Sequence, residues 1–169
     1  MLLYGFYVVE VLYRVNEEVN EMAKTVVRLN KGFRTDIHVR NHTYHADEPL
    51  DAGGTDTAVT PTEMLLGALG SCMAITVKMY AERKGWPLEG VEVALDMERF
   101  NAANYAAYAG DAQFVHEFRT QLVFHGPLDD AQRARLLEIA GKCPVHRALE
   151  NPAFFVDELL SAEALPVGD

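Results

Sequence analysis

The sequence predicts an α+β fold in which helices pack on antiparallel sheet. Three observations carry this. Lys24–Glu48 is rich in β-branched and aromatic residues broken by turn signals, Met64–Val77 carries no charge over about four helical turns, and Val91–Glu98 alternates apolar with polar residues before a second helical segment. At 169 residues the chain is long enough for one compact domain with a real core. With 49% hydrophobic and 24% charged residues it has the composition of a globular protein rather than a disordered one.

The elements follow in chain order. Residues 1–21 read as an N-terminal extension, residues 22–161 as the single domain, and residues 162–169 as a tail. The opening MLLYGFYVVEVLY is apolar but interrupted by Glu10; it has no preceding Lys or Arg and no small-residue cleavage site after it, so neither a signal peptide nor a bilayer span is expected. It is either an appendage outside the core or an extra element laying an apolar face on the body. Lys24–Glu48 should form three short strands in a meander, turning at Asn30-Lys31-Gly32 and at Asn41-His42. The glycines and polar residues of Leu50–Val59 make a loop.

Thr60-Pro61-Thr62-Glu63 is a helix start: Thr as N-cap, Pro at the first helical position, Glu three residues after the cap. Because Met64–Val77 is uncharged, this helix should be buried on nearly every side, with close backbone packing at Gly67 and Gly70, and it should end at Gly85 and Pro87. That much apolar surface is more than a small monomer covers, so a homodimer is expected. A strand at Val91–Glu98, a connection at Asn101–Gln113 and a strand at Phe114–Phe124 come next. A helix at Asp129–Lys142, a short turn from Cys143-Pro144 to Asn151 and a last strand at Ala153–Leu160 complete the order.

The formal net charge is −10, which disfavours nucleic acid and anionic membrane as partners. Two cysteines outside any CxxC do not form a zinc pattern or a secreted disulfide framework, and a cytoplasmic, reducing compartment is expected. Cys72 shares a helix face with Leu65, Leu69, Met73, Thr76 and Tyr80, so it is either a small core hydrophobe or a nucleophile that needs a nearby cation. Cys143 stands just before Pro144, near an N-cap, where free N–H groups favour a thiolate; on local grounds it is the more acidic thiol, or else an ordinary cap residue. Glu63 lies nine residues before Cys72, roughly opposite it and about 13 Å along an ideal helix, which excludes direct contact. His42 and His45 should face opposite sides of a strand, and Cys143 with His146 is half a ligand set at most, so no metal is expected. No phosphate loop is present: Gly53-Gly54 has no Lys-Ser/Thr after it.

The helix sequence Pro61-Thr-Glu-Met-Leu-Leu-Gly-Ala-Leu-Gly-Ser-Cys72, followed at the right distance by Lys142-Cys143-Pro144-Val145-His146, resembles the two hallmarks of the OsmC/Ohr family. The pattern Asp47-Glu-Pro, Gly53-Gly54, Pro61-Thr-Glu is nearer its OsmC-like branch, and the resemblance runs from about Lys24 to Leu160. It implies an intertwined homodimer, with antiparallel sheets wrapped around long central helices and active sites at the subunit interface. It implies a metal-free, cofactor-free peroxidase in which Cys72 attacks an organic hydroperoxide and Cys143 resolves the sulfenic acid, the reverse of the local reading. A small dithiol or lipoyl-type compound would be the reductant. Arg34 stands where the hydroperoxide branch places its arginine, with Arg40 a second candidate. That branch has its glutamate at the position of Thr62, next to Glu63. The rival reading is a non-enzymatic OsmC-like dimer that binds a small molecule or responds to redox state.

Overall fold

The computed structural model describes residues 25–29, 31–157 and 159. The expectations for residues 1–21 and 162–169 lie outside these. The chain divides into two compact units, Met1–Thr60 with Leu159–Asp169, and Pro61–Glu158.

The first unit holds the expected meander. Strands β1 (Thr25–Leu29), β2 (Thr35–Val39) and β3 (His42–Ala46) form an antiparallel sheet in the order β1-β2-β3. Thr25 pairs with Val39 and Thr35 with Ala46, so Val26, Ile37 and Ala46 become the buried apolar residues of this unit. The β2–β3 turn is built on Arg40 and Asn41, one residue earlier than expected, with Arg40 at φ 53°. The loop to Thr60 contains one 3-10 turn, Leu50–Ala52, and is closed by Asp47 N–H to the Val59 carbonyl (3.1 Å) and Asp56 N–H to the Glu48 carbonyl (3.1 Å). Gly54 is required here because a Cβ at that position would lie 1.8 Å from the Glu48 carbonyl oxygen.

The second unit consists of α1 (Pro61–Lys84), β4 (Gly90–Asn101), β5 (Phe114–His125), α2 (Asp130–Ala140) and α3 (Pro144–Glu150). Strands β4 and β5 form a long antiparallel hairpin registered from Gly90–His125 to Asn101–Phe114. Helix α1 packs on β4, α2 and α3. Its inward stripe is Leu69, Met73, Val77 and Ala81, at four-residue steps, and it meets Leu88, Phe124, Leu128, Leu136 and Ile139. Gly70 lets the helix approach the hairpin: a Cβ there would lie 2.6 Å from Leu95 Cδ1. Gly85 ends the helix at φ 65°, with Trp86 N–H bonding the Ala81 carbonyl at 2.9 Å. Asp129 caps α2: its carboxylate accepts Gln132 N–H, and the Gln132 side-chain oxygen accepts Asp129 N–H. The fold is α+β with antiparallel sheets, as the pattern required.

Three expectations are corrected. Helix α1 is covered on one stripe, not nearly all round; Ile75 and Met79 are exposed. Among the described residues the elements packed most closely on it are β4, α2 and α3, which accounts for one face. Gly67 is not a packing glycine, since a Cβ there would meet nothing within 4 Å. The last strand, expected at Ala153–Leu160, does not form in its described part: residues 152–157 have no regular structure, and Phe154, Phe155 and Val156 are 92%, 85% and 87% exposed. A strand needs an edge to pair with, and among the described residues none pairs with this segment. By length and composition α1 is also apolar enough to cross a membrane, but here its central stripe forms the core of a mixed helix and sheet unit.

Candidate active site

The second unit brings the two cysteines together. Cys72 sits mid-way along α1, half-buried, one residue before the core side chain Met73. Cys143 is 0% exposed, within the same apolar cluster against which Cys72 packs. Both are free thiols, Cys143 buried inside the apolar cluster and Cys72 packed against it. Cys143 is the N-cap of α3, with extended backbone (φ −65°, ψ 149°), Pro144 behind it, and its Sγ accepting His146 N–H at 3.3 Å.

This placement overturns the local expectation that Cys143 is the more acidic thiol. Burial pushes the Cys143 thiol up from its ordinary value. The His146 and Val145 N–H groups at the helix start act against burial but do not overcome it, and the contact with Cys72 raises it further. Burial therefore favours the neutral thiol at Cys143. Cys72 is the more accessible of the two.

Glu63 is exposed in the first turn of α1. Helix geometry puts it about 13 Å before Cys72 on the opposite side. Arg34, in the first unit, donates from Nη1 to Thr57 Oγ1 at 3.0 Å. Arg40 is exposed at the β2–β3 turn.

Sequence reasoning missed Asp47 as a structural centre. It is 1% exposed, the one charged side chain in the buried set among the described residues. Its Oδ1 accepts Glu48 N–H (2.8 Å). Its Oδ2 accepts Thr55 N–H (3.2 Å), Thr55 O–H (2.5 Å), Thr57 N–H (3.1 Å) and Thr57 O–H (2.9 Å). The Thr55 hydroxyl first, with these other donors, holds the carboxyl well below the usual range. The available signal was the Thr-Asp-Thr spacing at 55–57, which puts two hydroxyls on one side of the loop. A second missed feature is a cavity of about 570 Å³ in the second unit, lined by residues that include Leu65, Met97, Tyr105, Phe114, Phe118 and Leu149. Tyr105 is fixed there by donating its hydroxyl to Glu117 at 2.6 Å, which raises the phenol's pKa. Among the described residues no group of three His, Cys, Asp or Glu side chains is placed to hold a metal.

The two thiols, one half-buried on a long apolar helix and one fully buried at the start of a short helix, lie in an α+β unit of helices packed on an antiparallel hairpin. The sequence profile described as OsmC-like protein matches residues 54–156, more than half of the chain. The chain belongs to the OsmC-like family. Among solved structures it is similar to a Psychrobacter arcticus 273-4 protein provisionally described as an osmotic stress induced and detoxification response protein. They share 23% identity at a TM-score of 0.60, over 75% of this chain and 88% of that one. It is similar to the OsmC-like protein of Mycoplasma pneumoniae, with 16% identity and a TM-score of 0.57 over 77% and 88% of the two chains. It is also similar to the organic hydroperoxide resistance protein OhrB of Bacillus subtilis, with 16% identity and a TM-score of 0.53 over 75% and 89%. At these identities the likeness establishes the fold. No sequence of curated function matches the chain.

Proposed function

We propose that the protein is a thiol-dependent peroxidase that reduces organic hydroperoxides with Cys72 and Cys143. The observation that carries the reading is the thiol pair: Cys143 is buried in the apolar cluster against which the more accessible Cys72 packs. That polarity suits Cys72 as attacker and Cys143 as resolver, which agrees with the family order.

The steps balance. The Cys72 thiolate attacks the distal oxygen of ROOH; the S–O bond forms, the O–O bond breaks, and the alkoxide leaves as ROH after taking up one proton, equivalent to the one Cys72 gave up on ionising. The Cys143 sulfur then attacks the Cys72 sulfenic acid. An S–S bond forms, the S–O bond breaks, and hydroxide leaves with the Cys143 proton as water. A small dithiol or lipoyl-type compound returns two electrons and two protons to the disulfide. The roles of Arg34 as the cation and Glu63 as its acidic companion are taken from the family resemblance alone, and Glu63 stands one residue after the position the hydroperoxide branch uses. It is metal-free and suits a reducing, cytoplasmic setting.

A homodimer belongs to this reading. The apolar residues left exposed on α1, Ile75 and Met79, and the exposed 154–156 segment supply surface that a second copy would cover. The alternative, a non-enzymatic binder of an apolar small molecule, draws on the cavity of about 570 Å³, which needs no thiol chemistry. Stopped-flow consumption of cumene hydroperoxide separates the two. Cys72→Ser should consume none, and Cys143→Ser about one equivalent before stalling or over-oxidising. Consumption by Cys72→Ser with none by Cys143→Ser reverses the roles, and an inert wild type leaves the binder.

A further inference from the structure

We propose that the cavity of about 570 Å³ in the second unit binds a small apolar carboxylate, its body inside the cavity and its head group on Arg99, with His116 beside it. The inference rests on this one unit and not on thiol chemistry, so it holds for a peroxidase and for a binder alike.

The strand register builds the site. Arg99 of β4 pairs with His116 of β5, Met97 with Phe118, and Asn101 with Phe114. Side chains alternate along a strand, so Met97, Arg99, Phe114, His116 and Phe118 belong to one face of the hairpin. It is the face toward the core, since Phe118 packs against the apolar cluster under α1. Met97, Phe114, His116 and Phe118 line the cavity, and Leu65 of α1 and Leu149 of α3 line it from the helices. Its volume suits one small organic molecule.

The charge at the rim decides the class of ligand. The Arg99 guanidinium lies over the Phe114 ring, 4.7 Å from its centroid. Stacking occupies a face of the planar group and leaves its edge N–H donors, the fork that fits a carboxylate. Among the described residues no carboxylate pairs with Arg99, and the His116 ring has no hydrogen-bond or ionic partner. The nearest acidic pair in the ladder, Glu98 opposite Glu117, alternates to the other face, where both bond Arg119. Arg99 and His116 are exposed, so a ligand's charge stays at the wet rim while its body leaves water. A singly charged carboxylate on an apolar body meets both conditions.

The test is isothermal titration calorimetry of the full chain with 4-phenylbutyrate and 4-phenylbutanol, which share a carbon skeleton and differ in the head group. The carboxylate should bind at a single site per chain, about tenfold more tightly than the alcohol. Arg99→Gln should abolish that preference and leave the alcohol's affinity within about twofold of wild type. Leu149→Trp and, separately, Leu65→Trp reach into the cavity from two helices and should weaken both probes; each is read only where circular dichroism matches wild type. Equal affinity for the two probes, or a carboxylate preference that survives Arg99→Gln, overturns the assignment of the head group. No binding of either probe at millimolar concentration, or binding undiminished in a folded cavity-filling variant, overturns the site. A wild type inert to every hydroperoxide overturns the peroxidase reading alone.

Discussion

Replacing Cys143 should cost less with serine than with alanine, although alanine is the apolar choice for a site that is 0% exposed. The reason is the cap. Cys143 Sγ accepts His146 N–H at 3.3 Å as the N-cap of α3. Serine is among the best N-cap residues, and removing a cap costs about 1 kcal/mol. Serine shortens this bond to ordinary O···H–N geometry and so keeps or improves the cap. Against that stands the desolvation of one hydroxyl, about 1–3 kcal/mol when unpaired and less when it accepts a hydrogen bond. Alanine avoids the hydroxyl but leaves the His146 N–H without its partner, about 1–3 kcal/mol, and opens a small void where the sulfur packed against Cys72. The two losses add for alanine and offset for serine, so Cys143→Ser should lie within about 1–2 kcal/mol of wild type and Cys143→Ala below it. Urea titrations of the reduced proteins, followed by circular dichroism, measure this. Alanine more stable than serine would mean that Cys143 is a plain core residue and that the cap contributes nothing.

Other consequences are independent of this one. Asp47 has a depressed pKa in the folded state, so its contribution is complete above the ordinary aspartate value of about 3.9 and is lost as pH falls below it. The stability gap between wild type and Asp47→Asn should therefore be constant from neutral pH down to about pH 5 and narrow at lower pH, and a gap that widens in acid would contradict the sign. Gly54→Ala places a Cβ 1.8 Å from the Glu48 carbonyl oxygen, so the loop must open, and the thermal midpoint should drop by on the order of 10 °C. An unchanged midpoint would mean the loop is not held closed. Because its thiol pKa is raised by burial, Cys143 should be alkylated by iodoacetamide far more slowly than Cys72 near neutral pH, as read by mass spectrometry of the peptides. Faster labelling of Cys143 would restore the helix-end argument.

Much of the fold was legible because local rules and packing agree in it. The Thr-Pro-Thr-Glu start and the Gly85 stop bracket α1 because each meets a backbone requirement of a helix end. The alternation at Val91–Glu98 survives as β4, which its partner strand lengthens to Asn101. What failed depended on what lies beside an element. Composition marked α1 as apolar all round but could not say that, among the described residues, its buried side is the Leu69–Met73–Val77 stripe. The segment 152–157 has a strand's composition and lacks a partner edge among the described residues. The site was half legible. Both cysteines could be found from their motifs, but the acidity of Cys143 was misjudged because its setting is decided by burial under α1 rather than by the three residues after it. Asp47 was passed over because a carboxylate in a polar loop normally faces water. Only the folded loop shows Thr55 and Thr57 turned onto it.

The central claim is that Cys72 and Cys143 are one redox pair, and the most direct test is non-reducing peptide mapping of the protein after one equivalent of cumene hydroperoxide. The expected product is a single intramolecular disulfide joining the Cys72 and Cys143 peptides, lost on treatment with a dithiol. Two free thiols after exposure, or cysteines joined only between chains, would contradict it.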